Sequence, residues 1–221
     1  MGNKEQIHER STMKHSPVLF LPVLLILAGC HAGLHKQKEN AVKEPASAFI
    51  NDKAVWKGNL DNCFAATSDN SCLTDEVKKS GSPEALKSVQ YIAKQGETGY
   101  VAKFTKEGPI GVAVIEYPFR ANNNSGTLLI PSTGNPVDVE DFQDKIKANP
   151  AWLAFEKQHP DSTAWSPATL EKMSQTDNGI SLTFSYPVKS CHACDDTGAI
   201  YISYDFTRNG NYLGHKVTDI Q

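Results

Sequence analysis

The C-terminal part of the chain carries the pattern that most limits its fold. Apolar and polar residues alternate over residues 180–186 and again over residues 200–204. A repeat of two places every second side chain on the same face of a β-strand. Asn209 and Gly210 form a pair typical of a tight hairpin turn, and a further strand pattern follows at residues 212–217. The pattern therefore predicts an antiparallel C-terminal β-meander.

Helices are predicted upstream of this meander. Ser82 can cap a helix whose first residue is Pro83, and apolar residues at helical spacing follow it. A second helical pattern covers residues 138–148. A short helical turn is expected after residues 166–167, because a Ser-Pro pair is also a common helix start.

The remaining pattern is that of a β-sheet in the same domain. Strands are predicted at residues 100–104, 110–117 and 127–130. The fold class is therefore α+β, an antiparallel sheet with packed helices and a C-terminal β-meander. Residues 48–221 are expected to form one domain, and the polar, lysine-rich residues 30–47 a flexible tether.

The front of the chain predicts export. Lys14 precedes a short apolar run that is too short to span a bilayer, as is typical of a secretory signal peptide. Residues 1–29 are assigned to this segment. Residues 1–12 are polar, so Met13 is a candidate for the true start.

The signal segment ends in a four-residue motif, Leu27, Ala28, Gly29 and Cys30. This motif resembles the lipobox of bacterial lipoproteins. The resemblance implies cleavage before Cys30 and lipidation of its thiol, with palmitate among the acyl chains. Several acyl chains would anchor the protein stably. Because His31 follows, rather than the aspartate that commonly retains lipoproteins at the inner membrane, the expected location is the periplasmic face of the outer membrane.

Four cysteines remain after Cys30: Cys63, Cys72, Cys191 and Cys194. An even number in an exported protein predicts disulfides. Proximity favours the two local pairs, although spacing alone leaves pairing between the halves open.

The segment around Cys191 and Cys194 admits several kinds of site. A c-type heme site is excluded because Asp195 stands where a histidine is needed. A redox centre would need a helix after the first cysteine, and a strand pattern follows instead. Zinc would need further ligands from elsewhere in the chain. The simplest prediction is a disulfide across a strand connection that leaves His192 exposed.

The order of features from residue 149 onward resembles the family of the periplasmic inhibitor of vertebrate lysozyme. The corresponding segments are residues 150–152, 166–167, 180–186, 191–194 and 199–217. In that family a cysteine-bracketed loop enters the lysozyme cleft and its histidine meets the catalytic carboxylates. The resemblance implies that His192, with Asp195 beside it, binds a partner. The loop here is shorter than the family's, which reduces its reach.

These features predict a non-enzymatic binding or inhibitor-type lipoprotein, with a lysozyme-like muramidase as the named partner. No catalytic residue, metal ligand or cofactor is assigned, because the sequence holds no serine-hydrolase elbow, zincin motif or phosphate loop. The formal net charge of −3 gives no basic patch, so nucleic acid is not an expected partner. Alternatives are an immunity lipoprotein against a periplasmic toxin, a zinc or redox site at Cys191 and Cys194, and a structural envelope protein.

Overall fold

The computed structural model describes residues 44–65 and 70–221. The first of its two antiparallel sheets has four strands that pair in chain order. They are β1 (Tyr100–Glu107), β2 (Ile110–Glu116), β3 (Ser125–Ile130) and β4 (Val137–Asp138).

The second sheet is the predicted meander, extended by two more strands. It contains β5 (Thr163–Ala164), β6 (Thr169–Thr176), β7 (Gly179–Lys189), β8 (Gly198–Thr207) and β9 (Tyr212–Ile220). Strands β5 and β6 both pair with one edge of β7, while β8 and then β9 continue from its other edge. The predicted hairpin turn is present, and Gly210 has a φ of 79°, which glycine adopts without strain.

The helices lie mainly before the first sheet. They are α1 (Asp61–Ala65), α2 (Asn70–Ser80), α3 (Pro83–Lys94), α4 (Gln143–Ile146) and α5 (Pro150–Gln158), and Ala46–Ala48 and Asp52–Ala54 form single 3-10 turns. Helix α3 begins as predicted, because the Ser82 hydroxyl accepts the N–H of Ala85 at 2.9 Å and Pro83 occupies the first turn.

Both faces of the first sheet are buried, which produces three layers. Ile110 and Val112 pack with the second sheet, whereas Ala113 and Ile115 point to the opposite face and pack with the N-terminal segment and α3. The alternation of side chains along β2 separates these two cores. A third cluster, around Trp56, joins α1, α2 and α3. The α+β fold class and the C-terminal meander are confirmed.

Two helix predictions are wrong. Residues 169–176 after the Ser166–Pro167 pair form strand β6 instead of a helical turn. The helix predicted over residues 138–148 is limited to α4, because residues 137–138 pair with β3 as β4. Asp138 and Glu140 therefore precede the helix rather than opening it.

The segments that carry the export prediction lie outside the described residues. These are the signal peptide at residues 1–29, Met13, the lipidation site Cys30, and residues 30–43 of the predicted tether. Ala46 is buried, at 6% exposure, and lies two residues before the predicted domain start at residue 48. Among the described residues, the helices are too short or too polar to cross a membrane.

Candidate functional site

The Cys191–Cys194 segment forms the connection between β7 and β8. Its two sulfurs are bonded, with the Cα atoms 5.1 Å apart, and the Cys194 N–H donates to the Cys191 carbonyl at 3.1 Å. The four residues therefore form one tight turn closed by both a disulfide and a backbone hydrogen bond. This is the predicted staple across a strand connection, and we call residues 191–194 the stapled turn.

The base of the stapled turn is also held closed. The N–H and hydroxyl of Thr197 donate to the Val188 carbonyl at 2.7 and 3.0 Å. Lys189 and Asp196, on the two sides of the turn, form an ion pair of 3.0 Å. Backbone and side-chain contacts thus limit how far the two chain ends at the turn can separate.

His192 is exposed on this turn, and its ring rests against Trp165. The ring centroids are 5.6 Å apart and the ring planes meet at 77°, an edge-to-face contact. Trp165 follows β5 and is held against the end of β7, because its indole N–H donates to the Lys189 carbonyl at 3.2 Å. One side of the exposed imidazole therefore contacts the Trp165 ring.

Trp165 is the residue of this site that the sequence did not single out. It follows β5, whose Thr163 and Ala164 pair with the end of β7. One sequence signal could have identified Trp165. It directly precedes the Ser166–Pro167 pair, which is one of the segments that carry the family resemblance.

The two aspartates after the turn differ in their surroundings. Asp196 forms the ion pair with Lys189, so its carboxylate interacts with the base of the turn. Asp195 is exposed next to Cys194, and within residues 44–65 and 70–221 it forms no ion pair. This leaves Asp195, the residue assigned to partner binding, with its carboxylate facing solvent.

The other disulfide, Cys63–Cys72, belongs to the helical layer. It joins α1 to α2 with Cα atoms 5.7 Å apart, and Cys63 is fully buried among Trp56, Leu73 and Val77. Both predicted local pairings are therefore confirmed. Because the four sulfurs are bonded to one another, none of them is a thiolate ligand or nucleophile in this oxidised form. In the described part of the chain, no cluster of three or more His, Cys, Asp or Glu side chains has the arrangement of a metal site.

A buried tyrosine pair supports the sheet that carries the stapled turn. The Tyr186 and Tyr204 hydroxyls are 2.7 Å apart, and Tyr186 donates to the Val139 carbonyl at 2.9 Å. Burial raises the pKa of both phenols, so they remain neutral donors. These bonds connect strands β7 and β8 to the segment before α4.

An open cleft lies beside this pair. Its volume is about 830 Å³, and its lining includes Asp138, Asp141, Lys145, Tyr212 and His215. The Tyr212 hydroxyl lies 2.9 Å from Nδ1 of His215. His215 is exposed on β9.

Comparison with known proteins gives no relative: no family model, curated protein or solved structure matches this chain.

Proposed function

We propose that this chain is a lipid-anchored periplasmic protein of the binding or inhibitor type, in which the stapled turn presents His192 to a partner protein. A lysozyme-like muramidase is the named candidate partner. The observation that carries the proposal is the exposed His192 ring on a turn closed by its own disulfide.

The physical advantage of the turn is preorganisation. A loop that is already held in its bound shape loses little conformational entropy when a partner binds. The disulfide fixes the turn, Trp165 supports one edge of the imidazole, and the Lys189–Asp196 pair closes the base. A muramidase cleft contains two carboxylates, and these would favour the protonated imidazole.

Asp195 adds polarity to the same surface. An exposed carboxylate three residues after the histidine would meet donor groups at the edge of a cleft, such as backbone N–H groups or a cationic side chain. Contacts of this kind influence specificity and association rate more than affinity. His192 is therefore assigned the larger share of the binding free energy.

The proposal is tested by inhibition of a c-type lysozyme. The full chain, purified in detergent, should slow the enzyme, and His192→Ala should raise the inhibition constant about tenfold or more, a typical loss for a central interface side chain. The matched control is His159→Ala, because His159 is also exposed and stacks on an aromatic ring, that of Phe155. If the wild-type chain leaves the enzyme's rate unchanged, the muramidase is not the partner.

A further inference from the structure

The outer face of the second sheet has a polar surface that the stapled turn does not use. On β7 and β8 the polar side chains pointing to this face include Ser181, Thr183, Ser185, Tyr201, Ser203 and Asp205. The opposite face of the same strands carries the apolar core. The strand alternation therefore divides β7 and β8 into one apolar side and one hydroxyl-rich side.

Side-chain size turns this face into a trough. The small residues Thr183 and Ser203 are paired at its centre, while Lys172 and Lys216 flank them in register on β6 and β9. The trough has a volume of about 590 Å³, within the range of ligand sites. The three cross-strand rows over residues 181–185 extend about 13 Å along β7, the length of a short oligomer rather than a single small molecule.

The hydroxyls at the centre of the trough are not fully used by the protein. Thr183 and Ser203 are 6% and 4% exposed, and their hydroxyl oxygens are 3.0 Å apart. That hydrogen bond uses one of the two hydroxyl hydrogens. Within residues 44–65 and 70–221, the second hydrogen has no side-chain or backbone acceptor. A buried donor of this kind requires water or a ligand.

The remaining groups limit the chemistry of that ligand. The charges on this face almost cancel, because Glu171, Asp205 and Asp219 oppose Lys172 and Lys216, and Lys216 already forms an ion pair of 3.0 Å with Asp205. Tyr201 lies at one end of the trough, half-buried, and provides an aromatic surface. A face with a formal net charge of only −1 does not attract a polyanion and attracts a polycation weakly. Hydroxyl donors and acceptors beside one aromatic ring fit a neutral, hydroxyl-bearing chain.

We infer that this trough binds a neutral oligosaccharide, with the Thr183 and Ser203 hydroxyls bonded to sugar hydroxyl or acetamido groups and the Tyr201 ring against the C–H face of one pyranose. The inference is independent of the role proposed for His192, which belongs to the β7–β8 connection and not to the trough lining.

The test uses the full chain in a detergent without a sugar headgroup, with the N-acetylglucosamine tetramer as the probe. Calorimetry should give a dissociation constant of about 1 mM or lower. Tyr201→Ala should raise this constant at least tenfold, by loss of the aromatic surface. Thr183→Val, which keeps the side-chain shape, should raise it about threefold, the effect of one neutral hydrogen bond.

Two control variants separate binding in the trough from sugar binding elsewhere on the surface. Phe64→Ala removes an aromatic ring that is 59% exposed in the helical layer, and it should leave tetramer binding unchanged. His192→Ala should also leave tetramer binding unchanged. The sugar-binding proposal and the His192 proposal can therefore be refuted separately. Circular dichroism and thermal unfolding of the trough variants should match those of wild type.

Three outcomes would overturn the inference. They are no heat of binding at millimolar tetramer, equal binding by Tyr201→Ala and wild type, and binding of an extended Gly-Ser peptide where the tetramer does not bind. The last outcome would assign the trough to a polypeptide partner.

Discussion

Glu140 shows how one side chain at the edge of the core links stability to pH. It is half-buried and accepts the N–H of Ala168 at 3.2 Å. Burial raises the pKa of this carboxyl above its ordinary value of 4.5, while hydrogen bonds from Ser166 and Ala168 partly offset the rise. The folded state therefore binds this proton more tightly than the unfolded state.

We expect Glu140→Gln to reduce the loss of stability with rising pH. The contribution of Glu140 is fully present below pH 4.5 and is lost as the pH rises through its raised pKa. The free energy of unfolding of the variant, minus that of wild type, should therefore increase from pH 4.5 to neutral pH. Urea unfolding at several pH values measures this difference.

Glu156→Gln is the matched control for that experiment. Glu156 lies exposed on α5, so the substitution makes the same change in net charge without altering a buried site. A difference between Glu140→Gln and wild type that stays constant with pH would contradict the expectation.

At the scale of elements, the two disulfides have different tasks. Cys63–Cys72 joins residues nine apart and holds α1 against α2 around a buried sulfur. Cys191–Cys194 joins residues only three apart at an exposed turn. A longer closed loop restricts the unfolded chain more, so the first bond should contribute more to stability. The second bond fixes the surface that carries His192.

Removing each disulfide should therefore separate stability from binding. Replacing Cys63 and Cys72 with alanine should cost about 3 kcal/mol of unfolding free energy, and replacing Cys191 and Cys194 with serine about 2 kcal/mol or less. Only the second pair of substitutions should weaken lysozyme inhibition in fully folded protein. Urea unfolding and the inhibition assay measure the two effects, and each variant is the control for the other. Equal loss of inhibition from both would contradict the assignment.

Strand β6 shows why part of the fold could not be predicted. Leu170 pairs with Phe184 and Met173 with Leu182, so both belong to the same face. A register shift between Leu170 and Lys172 inserts an extra residue, which changes the expected spacing of two into a spacing of three. A spacing of three is typical of a helix, so it agrees with the helix start that the Ser166–Pro167 pair suggests and gives no sign of a strand.

The meander was predictable because its alternation is uninterrupted. Strands β7 and β8 keep one register over residues 179–188, so every second side chain enters the core. The predicted helix before α4 failed for a different reason. Val139, Phe142 and Ile146 have helical spacing and are all buried, although the chain around Val139 is not helical. The apolar residues at helical spacing therefore reflect burial in the core and not a continuous helix.

In the candidate site, too, local features could be predicted from the sequence, whereas contacts between distant segments could not. The stapled turn was predictable, because two cysteines three residues apart in a chain with a predicted export signal indicate a local disulfide. The support from Trp165 was not, because the pairing of β5 with the end of β7 depends on contacts distant in sequence. The trough was also missed, since Ser and Thr on a strand indicate only a polar face until their cross-strand neighbours are known.

At the scale of the whole molecule, β7 and β8 carry both proposed binding surfaces. Their connection is the stapled turn, and their outer face forms the centre of the trough. The core on their other face includes the fully buried Tyr186 and Tyr204. The strands that present the surfaces are thus also the most firmly packed part of the second sheet.

The proposed membrane anchor is tested at this scale. Cys30→Ser should abolish incorporation of labelled palmitate and move the protein from the membrane fraction to the soluble periplasmic fraction, because the acyl chains supply the membrane affinity. Gly33→Ala is the control, since it alters a nearby residue without removing a thiol. Palmitate labelling that survives Cys30→Ser would refute the lipidation site.

The short span of both disulfides has a consequence for how the protein is made. Cys63 bonds to Cys72 and Cys191 to Cys194, so each disulfide joins two cysteines that follow one another as these four residues emerge during synthesis. Closing such short loops costs less entropy than joining the two halves of the chain. A thiol oxidase acting on the emerging chain would produce the native pairs directly, and little would remain for a disulfide isomerase to correct.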